Sequence, residues 1–159
     1  MRRSEKEIKA RKTVEEILLR AQVGRLGTVS RAGTPMIKPV NFLYRNGRIY
    51  FHSALEGEKI DHIAANPRVC FEVDEALGYL PASQSPCEAN FAFSSVILEG
   101  QARLLEDPEE KVAILNDLMD KYQPGARLVP LDKRQVQKVG VFEIVVKRIT
   151  GKESRPPDR

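Results

Sequence analysis

The stretch Leu43 to Lys59, LYRNGRIYFHSALEGEK, decides how this chain is read. Asn46-Gly47 stands between two alternating runs, and Asn-Gly favours a tight type I′ turn because both central residues there need positive φ. The flanking runs therefore form a β-hairpin whose second strand, 48–53, ends on His52 and Ser53. Gly57 to Asn66 then carries Ile60 and Ile63 at helical spacing, and Pro67 forces that helix to stop. A strand closing on two hydrogen-bonding side chains thus meets the amino end of a short helix with Lys59 in its first turn.

Working outward, turn residues at Ala32-Gly33 separate strands near 25–30 and 35–44, which extend the hairpin into an antiparallel meander. Upstream, Ser4 with Glu7 and Thr13 with Glu16 read as capping boxes. Val14, Ile17, Leu18 and Ala21 give the apolar stripe of a helix within Ser4 to Gln22. Downstream, Val69, Phe71 and Val73 alternate with polar neighbours as a half-buried strand. Ala76 to Asn90, with two prolines and several small polar residues, reads as a long loop. Phe91 to Leu105 is a strand bent near Gly100, and Asp107-Pro108 with Glu110 opens a helix whose buried face is Val112, Leu115, Leu118 and Tyr122. Val139 to Ile149 is apolar on both faces, so it takes a central place in the sheet, and 151–159 is a flexible tail. The expectation is a mainly β fold: six antiparallel strands in a closed or nearly closed β-barrel, with flanking helices, as one domain over 1–159.

The bulk numbers agree with that size of fold. The chain has 159 residues, 42% hydrophobic and 30% charged, which places it among globular proteins and sets aside disordered and membrane-spanning classes. Its net charge of +4 is spread among interleaved acids, a pattern that argues against a nucleic-acid footprint. The charged start MRRSEKEIKARK has no apolar core to follow it, so a cytoplasmic protein with two unpaired thiols, Cys70 and Cys87, is expected.

The residues that could carry chemistry are few. Cys70, Cys87, His52 and His62 are the soft metal ligands, and no C-x-x-C or H-x-x-x-H pair brings two together, so no metal site is expected. Cys70 reads as a small hydrophobe inside an apolar strand, and His62 as a solvated helix residue. The informative cluster is KPVNF, Lys38 to Phe42, beside FHS and its downstream Lys59. Adjacent strands bring Asn41 near His52 or Ser53, and the helix amides near Gly57 with the Lys59 ammonium form an anion corner suited to phosphate. The plain alternative from spacing alone is a solvated lysine and a histidine that ties down a strand end.

These segments occur in a particular order: TVSRAGTPMIKPVNFLYRNGRIYFHSALEGEKIDHIAANPRVCFEVD, then SVILEGQARLL, then ITGK. In that order they resemble the pyridoxamine 5′-phosphate oxidase-like flavoproteins with an FMN-binding split β-barrel, nearest the nitroimidazole-resistance (Nim-type) branch. The likeness runs from about Gly24 to Lys152. It implies FMN bound at the interface of a homodimer, with the backbone of Lys38, Pro39, Val40, Asn41 and Phe42 along the isoalloxazine. His52 and Ser53 would lie beside the ribityl chain and phosphate, Lys59 on the phosphate, and Ser95 near the ring.

Two departures shape the implied activity. Glu58 stands where an arginine usually precedes the phosphate lysine, and the chain lacks the tryptophan and Arg-x-His element of relatives with full oxidase activity. Vitamin B6 oxidation is therefore disfavoured. The resemblance implies instead an FMN-dependent oxidoreductase that passes electrons from a reduced nicotinamide or other donor to a small acceptor such as a nitro compound. His52 is its candidate catalytic proton donor, since histidine exchanges protons near neutral pH. The alternatives are a non-catalytic flavin- or haem-binding protein on the same fold, and use of the deazaflavin F420 in place of FMN.

Overall fold

The computed structural model describes residues 4–82, 84–126, 131 and 133–155. Its eight strands are β1 (Glu7–Ile8), β2 (Gly24–Val29), β3 (Pro35–Val40), β4 (Leu43–Arg45), β5 (Arg48–Ser53), β6 (Arg68–Leu80), β7 (Asn90–Leu104) and β8 (Gly140–Ser154). The helices are α1 (Arg11–Arg20), α2 (Glu58–Ala65), α3 (Pro108–Tyr122) and a short α4 (Lys133–Gln137). One antiparallel sheet runs in the order β3-β2-β6-β7-β8-β5-β4, with β1 added to β8. Among the described residues no helix is long and apolar enough to cross a membrane.

The two ends of that order, β3 and β4, are consecutive in the chain and separated only by Asn41 and Phe42. A sheet whose outer strands are joined by two residues has to curl until its edges meet. No ladder pairs β3 with β4, so the result is a split barrel rather than a closed one. The expected single strand over 35–44 is broken at this bend, which with β1 raises six strands to eight.

Two apolar cores follow from the curl. Leu26, Phe42, Ile49, Phe51, Phe71, Val73, Val96, Leu98 and Ile144 fill the barrel, which α1 caps with Val14, Ile17 and Leu18. Outside it, Tyr50 and Val141 face Leu105, Ile114 and Leu118 under α3. Phe51 stacks on Phe142 with centroids 5.2 Å apart, and Phe42 meets Phe71 edge-on at 5.0 Å. Buried polar groups sit at the seams between layers. Glu143, 1% exposed, is held by Arg48, Arg103 and the Tyr50 hydroxyl.

Local signals account for much of this. Asn46 and Gly47 have φ of 52° and 76°, as the type I′ turn needs, and β4 pairs with β5 across them. Asp107 caps α3 by accepting from the Glu109 amide, with Pro108 behind it. β8 has β7 on one side and β5 on the other, the central place its two apolar faces require. The register shift between Glu99 and Gly100 marks the bend in β7. There a Cβ on Gly100 would stand 2.5 Å from the Val145 carbonyl oxygen.

Several expectations are corrected. α1 starts at Arg11 behind Ala10, so neither Ser4 nor Thr13 caps it. Residues 4–6 form a 3-10 turn, and 7–8 pair with β8. The 76–90 loop is mostly ladder: β6 runs to Leu80 opposite Asn90, bulged between Ala76 and Gly78, with a 3-10 turn at Pro86–Glu88. The Gly151 to Ser154 part of the expected tail belongs to β8, while 156–159 lie outside the described residues. On α3 the most buried positions are Lys111, Ile114 and Leu118, not Val112 and Leu115. Cys70 faces outward and is exposed. His62 is not solvated: it is 8% exposed, with Nδ1 3.1 Å from the Thr28 hydroxyl on β2.

Candidate functional site

A cleft of about 390 Å³, within the usual range of small-molecule sites, opens where β3 bends toward β4. It is lined by Val23, Pro39, Val40, Asn41, His52 and Lys59. The fold dictates this meeting. β3 pairs with β2 from Val40 opposite Gly24 onward, so Val40 and Asn41 lie beside Val23, while the β4–β5 hairpin carries the strand past the bend to His52. α2 follows β5 closely enough to bring Lys59 to the same wall.

Electrostatics sets the character of this wall. Lys59 is half-buried, its ammonium 5.4 Å from the Phe51 ring centroid, and among the described residues it has no carboxylate partner. Burial first, and then the neighbouring Lys38 ammonium, hold its pKa below the ordinary lysine range. An anion placed here would relieve both effects. Glu58 turns instead to Lys38, 3.7 Å away. Gly57, at φ 112°, precedes α2 with no side-chain cap. The ring-closing bonds to Gly57 start at the Ile60 and Asp61 amides, so the Glu58 and Lys59 amides have no partner within the helix. Two ammonium groups, first-turn amides and an exposed imidazole form a donor set that suits a phosphate monoester.

The sequence-expected residues divide as follows. Pro39, Val40, Asn41, His52 and Lys59 line one cleft, with Lys38 beside it. Phe42 does not line it. Its ring is fully buried in the barrel, its amide donates to the Tyr122 hydroxyl at 2.8 Å, and its carbonyl accepts from Lys121 Nζ at 3.0 Å, with the Tyr122 oxygen also 3.0 Å away. These backbone groups are taken and cannot serve a ligand. Ser53 ends β5 half-buried opposite Gly140 and lies outside the cleft lining. Ser95 is on the outward-facing register of β7, between Asp74 of β6 and Lys152 of β8, and also lies outside it. Lys121 and Tyr122, which fix the Phe42 bend, were not singled out for the site from the sequence. The signal was present only as Tyr122 on the apolar stripe of α3, where it reads as core.

A larger concavity of about 580 Å³ lies on the outer face of β2, β3, β6 and β7, lined among others by Val29, Pro35, Ile37 and Cys70. It contains none of the expected site residues, so the smaller, charged cleft is the candidate site.

An antiparallel split barrel with a lysine-bearing cleft at its seam is the class of protein that fold and site define. The family model described as pyridoxamine 5′-phosphate oxidase matches residues 10–153, and the chain belongs to that family. No curated protein matches significantly. Among solved structures, a candidate 5-nitroimidazole antibiotic resistance protein from Bacteroides thetaiotaomicron is 29% identical, with a TM-score of 0.78 over 92% of this chain and 85% of that one. The flavocytochrome Anf3 from Azotobacter vinelandii has the same fold, with a TM-score of 0.87 at 24% identity over 100% of this chain and 75% of that one. An FAD-binding protein from Mycobacterium smegmatis is 26% identical, with a TM-score of 0.57 over 92% and 98% of the two chains.

Proposed function

We propose that this chain is an FMN-binding flavoprotein, working as a homodimer, that passes electrons from a reduced nicotinamide or other donor to a small acceptor such as a nitro compound. The observation that carries the reading is Lys59. This half-buried ammonium lacks a carboxylate partner among the described residues and is repelled by Lys38, and it stands in the wall of a cleft that also holds His52 and Asn41. Membership of the pyridoxamine 5′-phosphate oxidase family supports a flavin there. Similarity to the FAD-binding and candidate nitroimidazole-resistance proteins supports the flavin and the acceptor class respectively.

In this reading the Lys59 ammonium and the first-turn amides of α2 hold the phosphate, and Lys38 adds positive charge that Glu58 partly neutralises. Pro39, Val40 and Asn41 form the wall along the ring, and Ser95 is a ring-side contact beyond the cleft. A bound flavin supplies the electron transfer. The exposed His52 imidazole holds the proton that an acceptor takes up.

The visible spectrum of the purified protein, before and after FMN is added, tests the proposal. A yellow protein whose flavin band bleaches under anaerobic NADH or NADPH is expected. A colourless protein that takes up no FMN overturns the reading, and a haem Soret band replaces it with a haem-binding one.

A further inference from the structure

The bend that shapes the cleft is held from outside by the last turn of α3. Two neighbouring side chains there engage both backbone groups of Phe42. The Tyr122 hydroxyl lies 2.8 Å from the Phe42 amide, 2.8 Å from the Gln22 carbonyl oxygen and 3.0 Å from the Phe42 carbonyl oxygen. A phenol has one proton and can accept as well. It therefore accepts from the Phe42 amide and gives its single proton to Gln22. That leaves the Phe42 carbonyl to Lys121, whose ammonium stands 3.0 Å from it and 3.9 Å from the centroid of the Phe42 ring. Each partner makes the other's assignment work. The same Gln22 carbonyl also accepts from Asn41 Nδ2 at 3.5 Å. Tyr122 is thus tied to Gln22, next to Val23 on one side of the cleft, and to Phe42, next to Asn41 on the other.

These contacts fall where the barrel has no ladder of its own. β3 and β4 do not pair, so nothing within the sheet sets the angle at Asn41 and Phe42. We propose that Lys121 and Tyr122 are positioning residues of the cleft, clasping the unpaired β3–β4 seam so that Pro39, Val40 and Asn41 present a fixed wall to the ring of a bound cofactor. Neither residue lines the cleft; both act through Phe42 and Gln22. The ligand in this proposal rests on the flavin reading above.

The test compares wild type with Tyr122→Phe and Lys121→Met in three measurements: hydrogen exchange of the Phe42 amide without ligand, Kd for FMN, and Kd for inorganic phosphate. Phosphate reports the Lys59 corner alone, so a loss common to both ligands is mere loosening of the fold. Losing one such part-buried hydrogen bond corresponds to up to about a tenfold effect. In Tyr122→Phe the Phe42 amide should exchange about tenfold faster and FMN bind about tenfold more weakly, with phosphate affinity unchanged. Lys121→Met, which keeps the phenol, should show the same pattern to a smaller extent. Equal weakening of FMN and phosphate, or unchanged FMN affinity in both variants, overturns the positioning role. Wild-type protein that binds phosphate but no FMN overturns the flavin reading, and the cofactor-positioning role with it. Unchanged Phe42 exchange in Tyr122→Phe overturns the clasp even if flavin binds.

Discussion

Replacing Lys59 by methionine should separate ligand binding from stability, because the structure gives this residue opposite effects on the two. Methionine keeps an apolar stem beside the Phe51 ring and removes only the charge. A hydrogen bond to a charged group contributes about 1.5–3 kcal/mol, and the solvent reaching a half-buried ammonium puts Lys59 at the lower end of that range. At about 1.4 kcal/mol per decade, FMN should bind about tenfold more weakly. Riboflavin, which has the same ring and no phosphate, should bind as it does to wild type. The free protein should lose no stability, since the ammonium is desolvated and repelled by Lys38. Flavin fluorescence quenching gives both affinities, and thermal unfolding without ligand gives the stability. If FMN and riboflavin weaken by the same factor, Lys59 is not at the phosphate. If the free protein is markedly destabilised, Lys59 has a structural partner and the picture of a ligand-seeking cation fails.

Gly24→Ala should destabilise the fold by about 1–3 kcal/mol in urea unfolding, since its Cβ would stand 2.0 Å from Cζ of the fully buried Phe71. Burial pushes the Glu143 carboxyl up, but hydrogen bonds and charge from Arg103 and Arg48 outweigh it and hold the group below the ordinary glutamate range. A depressed carboxyl stabilises above its unfolded pKa. The advantage of wild type over Glu143→Gln should therefore be full at neutral pH and shrink as acid titrates the folded carboxyl, as chemical denaturation across pH will show. Burial lowers Lys121 to about 8 from an ordinary 10.5. Between those values the unfolded chain binds more protons, so wild type should gain stability relative to Lys121→Met as pH rises from 8 to 10. A constant difference across that range would show that the ammonium is not desolvated.

The readable parts of the fold were those written in neighbouring residues. Asn46-Gly47 fixes a hairpin, Asp107-Pro108 opens α3 and Pro67 follows the end of α2, because each acts within a turn of itself. What escaped depends on partners far along the chain. Residues 76–80 look like a loop by composition, yet β7 supplies a ladder opposite them. His62 looks solvated in a short polar helix until β2 brings Thr28 to its ring. The site shows the same division. The ordered segments KPVNF and FHS with Lys59 could be read directly, and most of their residues do line one cleft. Phe42 could not be placed correctly, because its backbone groups are claimed by Lys121 and Tyr122, about eighty positions away.

The open side of β3 has a bearing on solubility. An edge strand with free donors is a template for strand addition by another molecule. Pro35 and Pro39 lie opposite Val29 and Arg25 in the β2 ladder, and Ile37 lies between them on the same register. Donors two residues apart point to the same side of a strand, so the outward positions of β3 are 35, 37 and 39. Two of the three have no N–H to offer, and single amides do not nucleate a ladder. Ile37, 68% exposed, can remain an apolar surface residue here without recruiting a neighbouring chain into cross-strand aggregation.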